Sequence, residues 1–354
     1  MLRTVSGSLA DGPAAFPTPA PRRGQADELV WENLCYATPA GHRPLYLDLH
    51  VPRTGEVTQA PPVIVWVHGG GWEAGSRRRL GWELERGWIV ERMVMAGFAV
   101  ALVDYRLVKD APFPAQVEDV TAAVAWLADH KGDLGIDTSR VALWGESAGG
   151  HLVLLAGAAG AAGAGEAPGT GGAAGAAAVR AVVDWYAPTD LPALGAHSWG
   201  DGAWTDPAAS PLHAVTAAMP PTLIVHGRDD DVVPLDQSTL LATRLAELGV
   251  AHRLIEAEGG HVFTGPRSEE VVPEVTSQSL DFLCEHLGHV RGPVPDAELA
   301  GWYARMEEAG VRPGLTAEDA AEARARTFEF RKELNAVDYG VASVDDSELH
   351  SEGL

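Results

Sequence analysis

Trp144-Gly145-Glu146-Ser147-Ala148-Gly149-Gly150-His151 is the stretch from which the rest of the chain can be read. It has the form G-x-S-x-G and lies between an apolar run, Val141 to Trp144, and a helical run through Leu155. A serine at a sharp strand-to-helix turn sits on strained backbone, with its hydroxyl lifted above the sheet. Small residues at Gly145 and Gly149 let the two arms of such a turn approach. The helix that follows adds a partial positive field where negative charge would develop. The bare pattern also occurs as a plain glycine turn with an ordinary serine. Its place after a strand and before a helix favours a nucleophile.

Working outward, two further apolar runs resemble Val141 to Trp144, namely Val63 to Val67 and Phe98 to Val103. Continuous apolar runs of this length suit strands buried on both faces of a parallel sheet. Helical segments separate them, near Trp82 to Ala96 and from Ala115 to His130. In the second, Val117, Val120, Val124 and Leu127 form one apolar stripe. Upstream, Leu29 to Tyr36 and Pro44 to Val51 read as an antiparallel pair around the turn Thr38-Pro39-Ala40-Gly41. Downstream, strands are expected at Ala181 to Tyr186, Thr222 to His226 and Arg253 to Ile255. Helices are expected from Asp236 to Leu248 and from about Val271 to Leu287. This alternation predicts an α/β fold with a doubly wound, mainly parallel sheet, whose chemistry gathers at the carboxyl ends of the strands.

The chain has 354 residues, enough for one large core with material left over. Three parts are expected: a leader over residues 1–26, a catalytic domain over 27–290, and a helical C-terminal extension over 291–354. Gly157 to Ala178 is almost all Ala and Gly and reads as a flexible surface loop. The polar extension, with few apolar residues beyond Phe328 and Phe330, reads as a cap over the site or a remnant of a second hydrolase. The formal net charge of −23 repels phosphate backbones and anionic lipid, so neither nucleic acid nor membrane is an expected partner. Cys35 and Cys284 read as two reduced thiols. No signal peptide is apparent and no apolar run approaches 18 residues, which makes the cytoplasm the expected location.

A serine hydroxyl needs a base. Of 13 histidines, His261 follows the last strand and the turn Glu258-Gly259-Gly260, just before the final helix, where this chain order places it. His226 ends a strand and reads as structural; His252 reads as exposed, just outside the last strand. The orienting acid belongs on the loop Gly227-Arg228-Asp229-Asp230-Asp231-Val232-Val233-Pro234. Spacing alone leaves all three aspartates open. His68-Gly69-Gly70-Gly71-Trp72 follows the strand Val63 to Val67. Its backbone N–H groups, with that of Ala148, can form an oxyanion hole.

The segments HGGGW, DYRL, GESAGGHL, HGRDDDVVP and GGH, in this order, resemble the esterase and lipase branch of the α/β-hydrolases. The groups that they resemble are the hormone-sensitive-lipase-like and the bacterial acetyl- or feruloyl-esterase-like ones. The resemblance covers Leu29 to about Leu287. It implies a pattern H-G-x-x-D-x-x-V-P, which picks Asp230, and oxyanion glycines at Gly70 and Gly71. It also implies scaffold roles for Asp104-Tyr105-Arg106, Phe113-Pro114 and Asp119.

The expected function is a serine carboxylic ester hydrolase for short-chain, aryl or acetyl esters, with Ser147, Asp230 and His261 as the triad. No cofactor and no metal is expected; the partner is a small-molecule ester, and a homo-oligomer stays open. An arylformamidase-like amidase or a peptidase would use the same triad, whereas a non-catalytic binding protein on this scaffold would be expected to lack a member. Trp72, Trp199 and Trp204 are candidates for aromatic pocket walls. No extended apolar lid helix precedes the nucleophile, which argues against a long-chain lipase.

Overall fold

The computed structural model describes residues 20–24, 28–53, 59–80, 84, 88–163, 179–194 and 207–292. The C-terminal extension beyond residue 292, most of the Ala/Gly loop, Trp199 and Trp204 lie outside the described residues.

Among these residues nine strands form one sheet. They are β1 (Arg22–Arg23), β2 (Glu28–Ala37), β3 (Leu45–Pro52), β4 (Pro62–Val67), β5 (Ala99–Val103), β6 (Asp137–Glu146), β7 (Val179–Trp185), β8 (Thr222–Gly227) and β9 (His252–Ala257). Their order is β1-β2-β3-β5-β4-β6-β7-β8-β9. β1, β2 and β3 run antiparallel and join at β5; every pairing from β5 onward through β9 is parallel. The helices are α1 (Ile89–Met95), α2 (Ala115–Leu134), α3 (Ala148–Gly163), α4 (Pro211–Ala214), α5 (Asp236–Glu247) and α6 (Ser268–Leu287).

The apolar strands are buried on both sides, as their composition requires. Val63, Val65 and Val67 point into one core with side chains of α2, α3 and α5. Ile64 and Trp66 point into the other, with α1 and α6. Each such side chain contributes roughly 1.5–3 kcal/mol by leaving water. The stripe of α2 meets the first core through Val120, Val124 and Leu127, with Val117 partly buried. That helix ends at Gly135, whose left-handed φ of 66° lets the next N–H, that of Ile136, reach back to the Lys131 carbonyl at 3.1 Å.

Connections from β4 and β6 leave toward opposite edges, because β5 lies on one side of β4 and β7 on the far side of β6. The carboxyl ends of β4 and β6 therefore flank the switch point where a doubly wound sheet leaves a crevice. HGGGW follows β4, and Ser147 follows β6.

Several expected bounds shift. The helix expected near Trp82 to Ala96 is broken at Trp88, whose left-handed φ of 54° interrupts a right-handed helix; Leu84 before it is helical, and α1 starts at Ile89 after it. α3 runs past Leu155 to Gly163, so the loop expected from Gly157 starts in helix, where the alanines favour the helix and offset the glycines between them. Arg22–Arg23, within the expected leader, pairs with Leu29 and Val30 at the sheet edge. His252 is the first residue of β9, half-buried and paired with Thr222.

Candidate active site

Ser147 occupies the one-residue junction between β6 and α3, with φ 52°. Its N–H donates to the Trp185 carbonyl at 2.8 Å, and its own carbonyl accepts from His151 N–H at 3.1 Å. The turn is so tight that a Cβ on Gly149 would lie 2.1 Å from the Val67 carbonyl oxygen. One on Gly145 would lie 2.3 Å from the Gly149 carbonyl oxygen. Only glycine fits at either place, and the strained serine between them points its hydroxyl outward.

His261 starts a short 3₁₀ turn, His261–Phe263, in the loop after β9. Gly259 with φ 104° precedes it, and Val262 with φ 58° follows. The Ser147 Oγ lies 3.0 Å from His261 Nε2, and His261 Nδ1 lies 2.7 Å from Asp230 Oδ2. Of the three neighbouring aspartates, Asp229 and Asp231 are exposed and Asp230 is buried. The Asp230 Oδ1 accepts the N–H groups of Val232 and Val233 at 2.9 and 2.8 Å. Burial acts to raise the Asp230 pKa, but hydrogen bonds from His226 and His261 outweigh it and hold the carboxyl well below the usual range. A fixed anion therefore faces one imidazole nitrogen while a hydroxyl faces the other. Such a chain can move a proton from oxygen to Nε2 and stabilise the imidazolium that results.

The glycine loop after β4 closes the other side. Gly70 and Gly71 have φ 113° and 61°, a path open to glycine and costly for other residues. Gly69 N–H donates to Glu146 Oε1 at 2.6 Å, which ties this loop to the residue beside Ser147. Burial pushes the Glu146 carboxyl up, offset by the Gly69 N–H, nearby His261 and the Tyr186 hydroxyl. Tyr186 packs its ring against His261, centroids 4.9 Å apart. Ala148 is the first residue of α3, so its N–H has no intrahelical acceptor. The descending arm of the loop is clamped from below. Arg77 pairs with Asp104 and, at 3.0 Å, with Asp48. Arg106 pairs with Asp119 at 2.7 Å. Tyr105 donates its hydroxyl to the His68 carbonyl at 3.1 Å.

Trp72 requires a correction. It was expected as a pocket wall, but the indole is only 1% exposed and belongs to the core. Its backbone φ of 60° turns it inward, edge-on to His151 with ring centroids 4.9 Å apart. His151 donates its Nε2–H to the Ala209 carbonyl, 2.6 Å away, and burial lowers its pKa to about 4, so it is neutral at ordinary pH. A cavity of about 270 Å³ opens beside the acid and histidine loops, lined by Asp229, Asp231, Glu258, Thr264 and Arg267. Ser147 is not among its walls. Among the described residues no group of three His, Cys, Asp or Glu side chains could hold a metal ion. No helix among them is long and apolar enough to cross a membrane.

Three groups near the site carried no readable signal beyond their motifs: Glu146 at the loop, His226 against Asp230, and Asp184 in β7. Asp184 is fully buried; its Oδ1 accepts the Ala187 N–H at 3.0 Å. Burial pushes its carboxyl up to about 7, with nearby His226 opposing. The unfolded chain ionises near 4, so between about pH 4 and 7 the unfolded state loses a proton that the folded state keeps. Stability is therefore lost as pH rises through that window. Asp184→Asn keeps the acceptor and does not ionise. Its stability is expected to exceed the wild type's by more at pH 8 than at pH 4.5, by on the order of 2–4 kcal/mol, read as a wider gap in melting temperature. Thermal unfolding at both pH values checks this; an equal gap at each would refute it.

The BD-FAE family model matches residues 47–245, more than half the chain. The chain belongs to the BD-FAE family. The match runs from β3 through the glycine loop, Ser147 and Asp230 into α5 and stops short of His261. Esterase LipC of Mycobacterium tuberculosis is 29% identical over 212 residues, covering 53% of this chain and 49% of LipC. Esterase LipQ of the same organism is 30% identical over 205 residues, covering 54% of this chain and 47% of LipQ. The chain thus spans about half the length of these relatives. Among solved structures, a truncated carbohydrate esterase from gut microbiota superposes with TM-score 0.59 at 26% identity, covering 73% of this BD-FAE chain and 96% of the esterase. An esterase from Thermogutta terrifontis gives TM-score 0.57 at 25% identity, covering 72% and 91%. The BD-FAE chain has the α/β-hydrolase fold that the sequence motifs resemble.

Proposed function

We propose that this BD-FAE chain is a serine carboxylic ester hydrolase acting on short-chain, aryl or acetyl esters. Ser147 is the nucleophile, His261 the base and Asp230 the orienting acid. The observation that carries this reading is the unbroken contact from Ser147 Oγ through His261 to Asp230, at 3.0 and 2.7 Å, beside the glycine loop. The esterase names of LipC and LipQ, and the esterase structures it resembles, support the same chemistry.

In this mechanism Ser147 Oγ attacks the ester carbonyl carbon as His261 Nε2 takes its proton. The carbonyl oxygen becomes an oxyanion and accepts hydrogen bonds from the N–H groups of Gly70, Gly71 and Ala148. Each such donor is worth roughly 10²–10³-fold in turnover. The field at the start of α3 adds to them. The tetrahedral intermediate collapses; the C–O bond breaks and the alcohol leaves with the proton from His261. Water, deprotonated by His261, then attacks the acyl-Ser147 ester. A second collapse releases the carboxylic acid and restores the serine hydroxyl.

A panel of p-nitrophenyl esters from acetate to palmitate, with acetylated sugars and an acyl anilide beside it, tests the reading. Turnover is expected to be highest at two to four acyl carbons and to fall at least about tenfold by palmitate, since kcat/KM for acyl groups is set by pocket contacts worth about 1–3 kcal/mol per methylene. A fluorophosphonate should label Ser147. An unlabelled chain that leaves every ester intact would defeat the proposal.

A further inference from the structure

His226 is fully buried and is not needed in the reaction just written, yet it makes three polar approaches. It is the fifth residue of β8, beneath the loop that carries Asp230. Its Nε2 lies 2.7 Å from the Val233 carbonyl oxygen and 3.3 Å from Asp230 Oδ2. Both are acceptors, so Nε2 carries the hydrogen. Its Nδ1 lies 2.6 Å from Ser238 Oγ, whose hydroxyl then donates to it. The buried carboxyl of Asp184, in β7, is a further titratable group near this ring. Ser238 is the third residue of α5 and is itself buried. The residue before it, Gln237, anchors that helix, accepting the N–H groups of Thr189 and Asp190 at 2.9 and 2.7 Å.

These contacts leave the Asp230 carboxylate held on every side. Oδ1 takes two backbone N–H groups, and Oδ2 stands between two imidazoles, His261 Nδ1 at 2.7 Å and His226 Nε2 at 3.3 Å. The His261 ring has to change protonation state during turnover. Without a second donor, Oδ2 would depend on that changing partner alone for its position.

We infer that His226 is a positioning residue for the proposed acid: its Nε2–H shares Asp230 Oδ2 with His261, and Ser238 fixes its tautomer and ring. The inference rests on the hydrolase reading of Ser147, His261 and Asp230. It goes further in extending the working unit to Ser147–His261–Asp230–His226–Ser238, across the junction of β6 and α3, the loop after β9, the loop after β8, β8 itself and α5. A role in packing alone would need a ring of this size and no particular hydrogen. A positioning role needs the N–H. It also tempers how strongly Asp230 holds the imidazolium of His261, because a carboxylate that shares its charge with a second donor gives less of it to the first.

The test compares His226→Leu, His226→Gln and Ser238→Ala in the full chain on p-nitrophenyl acetate. Turnover is expressed per site titrated with a fluorophosphonate, so misfolded protein does not enter. His226→Leu is expected to lower kcat about 10- to 100-fold, the scale for loss of reactive geometry at a supported site, with KM within about twofold. It should also move the acid limb of the kcat/KM profile to higher pH, since Asp230 then turns its whole charge on His261. His226→Gln places an amide N–H at a similar reach and is expected to recover most of both. A kcat within about twofold of wild type, an unmoved or lowered acid limb, or no recovery in the glutamine variant each overturns the role. If His226→Leu does not fold by circular dichroism, Ser238→Ala decides. It should lower kcat about threefold or more by freeing the ring, and wild-type kcat with an unmoved limb overturns the role. A wild-type chain that neither labels at Ser147 nor hydrolyses the ester defeats the hydrolase reading itself. A labelled, active wild type with unaltered variants defeats only the part given to His226.

Discussion

Ser147→Ala is expected to lower ester turnover by about 10⁶-fold while leaving the fold in place. The size follows from the shared nature of the proposed machinery. Once the nucleophilic oxygen is gone, the proton path through His261 and Asp230 has nothing to act on. What remains is the residual rate that oxyanion donors and binding give to direct attack by water, about 10³–10⁴ over the uncatalysed reaction. The substitution removes one oxygen and keeps the Cβ, so the φ of 52° at the elbow is no more strained than before. The main-chain bonds from Ser147 N–H to Trp185 and from His151 N–H to the Ser147 carbonyl are untouched. Initial rates on p-nitrophenyl acetate, beside a melting curve, check both halves. A variant that keeps a tenth of the wild-type rate would mean that another group attacks the ester.

The parts of this architecture that could be read from sequence are those fixed by local physics. Val63 to Val67 and Val141 to Trp144 can only be central strands, since no one-sided sheet would bury every residue, and they occupy β4 and β6. Gly145 and Gly149 mark the elbow because any side chain there would meet backbone. What escaped reading depends on direction in space. Trp72 is an aromatic candidate for a pocket wall by residue type alone, but its left-handed φ turns it into the core. Trp88 interrupts a helix that composition alone would continue. Glu146 and His226 gave no sign of their contacts, because their partners at Gly69 and Asp230 come from other loops and meet them only when the sheet is assembled. His226 read as structural from its strand-end position. Its second acceptor is a matter of three-dimensional approach and not of spacing.

Asp230→Asn is expected to lower turnover by about 10⁴-fold, on the scale seen when a triad acid becomes an amide. The geometry gives the reason. Val232 and Val233 aim two N–H groups at the Oδ1 position, at 2.9 and 2.8 Å, so the amide oxygen of asparagine takes that place. Its NH₂ group must then face His261 Nδ1, which can only accept. The proton moves to Nε2, the atom 3.0 Å from Ser147 Oγ, and a protonated Nε2 has no lone pair with which to receive the serine proton. The same NH₂ also meets the Nε2–H of His226 head on, 3.3 Å away in the wild type, so no turn of the amide satisfies both neighbours. Asp229→Asn and Asp231→Asn change exposed side chains and are expected to stay within about twofold of wild type. The three variants, assayed together on p-nitrophenyl acetate with fluorophosphonate-titrated sites, isolate the acid. A 10⁴-fold loss at Asp229 or Asp231, with Asp230→Asn near wild type, would move the acid by one residue and leave the buried carboxylate to structure alone.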